Sequence, residues 1–111
     1  IGSSSFDATL EDNETVKAFK KLLPMTVNMP DLNRNEKYYY LSGSLPTAAS
    51  NPGTILTGDL MLYGSNCVVL FYESFSTSYS YTRLGRVNNS SGLASALGSG
   101  SVTVTFELQK E

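Results

Sequence analysis

The chain contains no histidine and no tryptophan, a single cysteine, and only 16% charged residues. Each shortage closes a class of chemistry. Without imidazole there is no Ser-His-Asp or Cys-His nucleophile, no histidine general base and no histidine metal ligand. Cys67 is alone, so no intrachain disulfide can form, and its place in the apolar run Cys67 to Tyr72 predicts burial as a small hydrophobe. Ten acidic against eight basic side chains leave a net charge of -2. That balance attracts neither nucleic acid nor an anionic membrane surface, and neither is expected as a partner. No apolar stretch approaches the roughly 18 residues of a membrane span, so direct membrane insertion is not expected. Ile1-Gly2 reads as the interior of a strand, which places the natural N-terminus upstream. Localisation stays open between the cytoplasm and export or lipid anchoring through a removed leader.

What is present is enough for one compact domain over residues 1–111. Area scaling puts the unfolded chain at roughly 17,000 Å² and the folded one at roughly 6,000 Å², a core that needs neither disulfide nor metal. Phe6, Ala8 and Leu10 alternate with Asp7, Thr9 and Glu11, the period of a half-buried strand. Asp12-Asn13 offers N-cap oxygens, and Val16, Phe19, Leu22 and Leu23 recur at helical spacing before Pro24. This predicts a helix over 14–23. Met25 to Met29 is extended, Asp31 to Glu36 is polar turn material, and the aromatic run after it predicts a strand at 37–41. Residues 42–54 lack periodicity and read as a solvated connector. Leu60 to Tyr63 and Cys67 to Tyr72 flank Gly64-Ser65-Asn66, a hairpin whose nearly continuous apolar second strand implies cover on both faces. Phe75 to Tyr81 reads as a loop and Arg83 to Val87 as a strand. Ser91 to Leu97 reads as a short helix stopped by Gly98, with Asn88 to Ser91 as a turn leading to its cap, and Val102 to Leu108 as the last strand. Two short helices cannot supply the crossovers of a parallel sheet. The expectation is a mainly β fold: a closed, largely antiparallel barrel of about eight strands with two short capping helices.

The order of elements, with GSNCVVLFY (64–72) followed by YTRLGRV (81–87), a short helix and a final strand, resembles the second half of a cyclophilin. The runs NEKYYYL (35–41), GDLMLYGSN (58–66) and FSTSYSYTRLG (75–85) are similar to those of small bacterial cyclophilin-like domain proteins, a resemblance covering nearly the whole chain. It implies a cyclophilin-like barrel. Cyclophilins are peptidyl-prolyl isomerases, with an arginine at the prolyl amide and Trp and His in the pocket. Here the histidine position falls on Tyr81, the pocket phenylalanine is nearest Val68, and the strand expected to carry the arginine holds Tyr38, Tyr39 and Tyr40. Arg34 precedes that strand and Arg83 lies on another. The resemblance therefore carries over a fold without the isomerase constellation.

Seven tyrosines are the one compositional excess. Tyrosine joins apolar area to a hydroxyl at low rotamer cost, which suits recognition. Strand alternation turns Tyr38 and Tyr40 one way and Tyr39 the other. The candidate ligand-binding residues are Tyr38, Tyr40, Tyr63, Tyr79 and Tyr81 as the floor of a groove, with Arg83 as cationic anchor; cross-strand aromatic packing is the competing structural role. Asp59, after Gly58, reads as a turn residue. The acidic residues Asp7, Glu11, Asp12 and Glu14 do not have the spacing of a calcium loop, and no metal ligands, cofactor or catalytic residues are expected. The leading expectation is a non-catalytic module that binds a peptide segment or small ligand. The alternatives are a weak or vestigial prolyl isomerase and a structural or assembly domain of a larger bacterial protein. Oligomeric state is not readable.

Overall fold

The computed structural model describes residues 1–109. Strand β1 (Ala8–Leu10) leads to helix α1 (Glu14–Lys20), then β2 (Met25–Met29), β3 (Asp31–Leu32), β4 (Glu36–Tyr40), β5 (Thr54–Ile55), β6 (Asp59–Tyr63), β7 (Cys67–Phe71), β8 (Phe75–Ser76), β9 (Thr82–Val87), helix α2 (Leu93–Leu97) and β10 (Val102–Phe106). Six strands form one antiparallel sheet in the order β1-β9-β6-β7-β4-β3. β2 and β10 form a separate ribbon, and so do β5 and β8.

The expected closed barrel is not found. The sheet is open, ending at β1, three residues long, and at β3, two residues long. Closure would need the β2–β10 ribbon to ladder onto both ends. Pro30 stands where the chain passes from β2 to β3 and has no N–H to carry a ladder across that point, so the ribbon leaves the sheet there. The alternation of apolar residues located the strands but says nothing about which edges meet.

Local chemistry explains most of the elements. Asn13 caps α1, its Oδ1 accepting from the Val16 N–H at 2.8 Å. The helix is three residues shorter than expected: Lys21, Leu22 and Leu23 donate to carbonyls three residues back, tightening into turns before Pro24. The turn joining β3 and β4 has Asn33 and Arg34 at φ 55° and 57°, with Asn35 N–H returning to the Leu32 carbonyl. That is the mirror-image turn whose twist suits a tight hairpin, and it converts part of the expected polar turn into strand. Gly64 opens the β6–β7 hairpin at φ 61°, as its sequence suggested. The segment Asn88 to Ser91 does turn, with Asn89 Oδ1 accepting from the Ser91 N–H, but the N-cap of α2 is Gly92 and no side chain caps it. Gly85 lets β1 approach β9, since a Cβ there would collide with the Thr9 carbonyl oxygen and come within 3.1 Å of Leu10 Cα.

The sheet is covered on both faces, as the apolar β7 run implied. Leu60 and Leu62 of β6, Val68 and Leu70 of β7, and Leu84 and Val87 of β9 point inward. They meet Val16 and Phe19 of α1, Val27 and Met29 of β2, Leu93 and Leu97 of α2, and Val104 of β10. The residues between them, Met61, Cys67, Val69 and Phe71, point outward into a second cluster with Ile55 and Tyr81, against which Tyr38 and Phe75 pack.

Lys37 is wholly buried on the inner side. Its Nζ donates to the carbonyl oxygens of Gly98, at 2.8 Å, and of Gly100, and pairs with Asp31 Oδ1 at 3.1 Å. It also lies 5.3 Å from the Tyr72 ring centroid, and the Tyr72 hydroxyl donates to the same Asp31 oxygen. Every proton of the ammonium thus has a partner, the condition under which a buried lysine is tolerated. The pair ties β3 and β4 to the turn after α2.

Candidate functional site

The register places the candidate tyrosines in relation to one another. Tyr40 pairs with Cys67, and Cys67 pairs in turn with Tyr63. One step along, Tyr38 pairs with Val69, Val69 with Met61, and Met61 with Arg83. All of these side chains share the outer face. Tyr39 points the other way and packs on the inner core, in line with the alternation expected from sequence.

The tyrosines fall into two groups rather than one floor. Tyr38 and Tyr40 meet edge to face, with centroids 5.8 Å apart. Tyr63 meets Tyr79 at 6.1 Å and Tyr81 at 5.5 Å. Tyr81 continues to Phe71 at 5.6 Å, and Phe71 to Phe75 at 5.7 Å. Between the two groups runs β7, with Cys67 and Val69 as small buried side chains. Two strand spacings separate Tyr40 from Tyr63, about 10 Å. Tyr40 is 63% exposed, Tyr63 45% and Tyr79 61%, while Tyr81 is buried. Arg83 is exposed but lies three strands from Tyr38, about 14 Å.

Tyr81 owes its position to the long connector after β4. Ser50 and Tyr81 exchange backbone hydrogen bonds at 2.9 and 3.0 Å, and Thr82 Oγ1 accepts from the Ala48 N–H. The connector is thus pinned to the sheet next to the aromatic group. Tyr79 is held by a local turn in which its N–H donates to Thr77 Oγ1 at 3.1 Å. Burial pushes the Tyr81 hydroxyl above its ordinary pKa, with the Glu36 carboxylate adding to the shift, so it stays protonated and available as a donor. Burial likewise raises the Cys67 thiol, again with a contribution from Glu36.

Two carboxylates on this face were not singled out as site residues from sequence. Asp59 is 1% exposed; its Oδ2 accepts from the Leu56 N–H at 2.9 Å and its Oδ1 from Arg86 Nε at 3.0 Å. It organises the turn into β6, as its place after Gly58 indicated. Glu36 stands opposite Phe71, two residues before Tyr38. It is 9% exposed, and burial raises its carboxyl to about 7, with Asp31 adding to the shift. The polar stretch around it suggested a turn and hid its strand position; the alternation Glu36, Tyr38, Tyr40 against Lys37, Tyr39, Leu41 was the available signal.

Val68 and Tyr81, the positions equated with pocket residues of cyclophilins, occupy opposite faces of the sheet, and Val68 is fully buried in the inner core. They cannot line one site. A surface concavity of about 360 Å³ also opens away from the tyrosine face, between Leu22, Met25, Val27, Tyr39 and Leu45.

No curated protein and no solved structure matches the chain. A family model described as the cyclophilin-like family matches residues 1–107. The match spans all ten strands and both helices, from β1 to the end of β10. On that extent, the chain belongs to the cyclophilin-like family.

Proposed function

We propose that this chain is a non-catalytic binding module that takes a peptide segment or a small polar ligand on its outer, tyrosine-bearing face. The ligand lies along β7, over Cys67 and Val69, between a wall of Tyr38 and Tyr40 and a wall of Tyr63, Tyr79 and Tyr81. The observation that carries this reading is the register that sets a small cysteine between two exposed tyrosines. A gap of about 10 Å between strands bearing aromatic side chains suits an extended chain or a flat ring. The hydroxyls at the rim add directional contacts, and Arg83, beyond the second wall, anchors an acidic group of a ligand long enough to reach it.

Support for the isomerase alternative is thinner. Of the two arginines that face this side of the sheet, Arg86 is held by Asp59 and Arg83 lies outside the walls. The test is affinity for a set of capped tetrapeptides covering acidic, basic, aromatic and proline-containing sequences. Tyr40→Ala and Tyr63→Ala remove exposed rings, so the fold is retained while the best ligand loses about 1–3 kcal/mol, or about fivefold or more, of affinity. Unchanged affinity in both variants rejects the reading, and proline-peptide isomerisation above background rejects its non-catalytic part.

A further inference from the structure

We propose that Glu36 is the anchor for an organic ammonium group, of the kind a lysine side chain carries, at the end of the tyrosine-walled groove; this rests on that groove being the binding face. Direction comes first. Lys37 and Tyr39 turn inward, the former fixed by its contacts to Gly98 and Asp31, so Glu36, Tyr38 and Tyr40 turn outward together. Glu36 faces Phe71 across the ladder, and the Phe71 ring in turn meets Tyr81 edge to face. Glu36 thus stands beside Phe71 at the edge of the aromatic cluster.

Glu36 is nine-tenths buried, yet none of the three ion pairs among the described residues includes it. Only burial and Asp31 act on its titration, and no hydrogen bond contributes. Its oxygens are not among the fully enclosed unpartnered atoms, so the carboxylate keeps an opening to solvent. The neighbouring outward carboxylate, Asp59, shows how this face treats a buried charge, for Arg86 and a backbone N–H satisfy it. Glu36 lacks that counter-charge. An uncompensated buried carboxylate is costly, and a ligand that donates to it regains the cost on binding.

The chemistry of the surroundings selects the donor. Aromatic faces attract cations, and a carboxylate beside them adds a charge-assisted hydrogen bond. A carboxylate only 9% exposed is reached more readily by a compact head on a thin alkyl stem, the shape of an ammonium, than by a planar guanidinium. The charged and titratable groups around Glu36 are Asp31 on β3, Arg34 in the turn just before it, Lys37 beside it on the inner side, Arg86 and Asp59 paired with each other, Tyr38, Tyr81 and Cys67, and Arg83 three strands away. Lys37 and Arg86 are already engaged, and Arg34, exposed in the turn two residues before Glu36, forms no ion pair with it, so Glu36 is open to an incoming cation.

The probes are acetyl-lysine-methylamide and acetyl-norleucine-methylamide, which share a stem and differ in the ammonium. Both are titrated at pH 8 into the wild type and into Glu36→Gln, with Glu36→Asp as a charge-retaining control, and followed by amide chemical shifts. The wild type prefers the lysine probe by at least about tenfold. Glu36→Gln loses that preference while binding the norleucine probe as before, and Glu36→Asp keeps part of it. Lowering the pH to 6 protonates Glu36 and weakens the lysine probe roughly tenfold. Equal binding of the two probes by the wild type overturns the ammonium site and leaves the groove standing. A lysine preference that survives in Glu36→Gln also overturns it, and no shift with either probe counts against both.

Discussion

Replacing Lys37 with methionine keeps the length and bulk of the side chain and deletes its charge. In the wild type the ammonium satisfies two carbonyls in the turn after α2, at Gly98 and Gly100, and pairs with Asp31. Removing the donor leaves both carbonyls short of a partner, at a cost of about 1 kcal/mol or more each. The Asp31 carboxylate loses its cation, but its side chain is 18% exposed and it keeps the Tyr72 hydroxyl and the Arg34 N–H. Its charge is not stranded as a wholly buried one would be, so the loss falls near the lower end of the 3–5 kcal/mol typical of breaking a buried pair, about 3 kcal/mol. Against the roughly 5–15 kcal/mol that holds a small domain together, this is a large fraction, and it corresponds to a Tm lower by about 12–20 °C. Urea unfolding at pH 7 measures it. Asp31→Asn then costs less in the Lys37→Met background than in the wild type, because the two residues are coupled. A loss below about 1 kcal/mol, or strictly additive effects, refutes the view that this ammonium ties the sheet to the turn.

Gly85→Ala forces a methyl against the Thr9 carbonyl and Leu10, so β1 must move off β9. The expected cost is about 1–3 kcal/mol with lost amide-exchange protection confined to β1 and its partner, and a protection pattern equal to wild type would contradict it. Glu36 gives a pH signature. Its carboxyl rises from 4.5 to about 7 in the folded state, so between these values the native chain holds the proton that the unfolded chain releases, and stability falls as pH rises through that window. Glu36→Gln removes this slope and is more stable than wild type at pH 8 by roughly 2–3 kcal/mol, a gain that vanishes below pH 4.5. Asp31 acts oppositely and at lower pH. Burial pushes its carboxyl up, but the Tyr72 and Lys37 side chains and the Arg34 N–H outweigh that and hold it below the ordinary value. Its share of stability is present above the unfolded pKa and is lost as pH falls through the folded one.

How much of this could be read from the residues depends on the range of the interaction. The alternating strand Val102 to Phe106, the continuous apolar run Cys67 to Phe71 and the cap at Asn13 are local patterns, and they appear where expected. The edge pairing that decides between open sheet and barrel is set by contacts far apart in sequence and by a single missing N–H at Pro30, which periodicity does not record. The tyrosines were visible as an excess, but their division into two walls follows from the β4–β7–β6 register. Glu36 was obscured because a polar stretch reads as a turn, whereas here a positive-φ pair at Asn33 and Arg34 compresses the turn and draws it into the strand expected to begin at Lys37.

The proposed ligand binds on the outer tyrosine face and not in the concavity beneath Tyr39. Mapping amide shifts during titration with the strongest-binding capped tetrapeptide tests it most directly. The expected perturbations centre on Tyr40, Tyr63, Cys67 and Tyr79. Perturbations confined to Leu22, Thr26 and residues 42–45, with the tyrosine face unmoved, would contradict it.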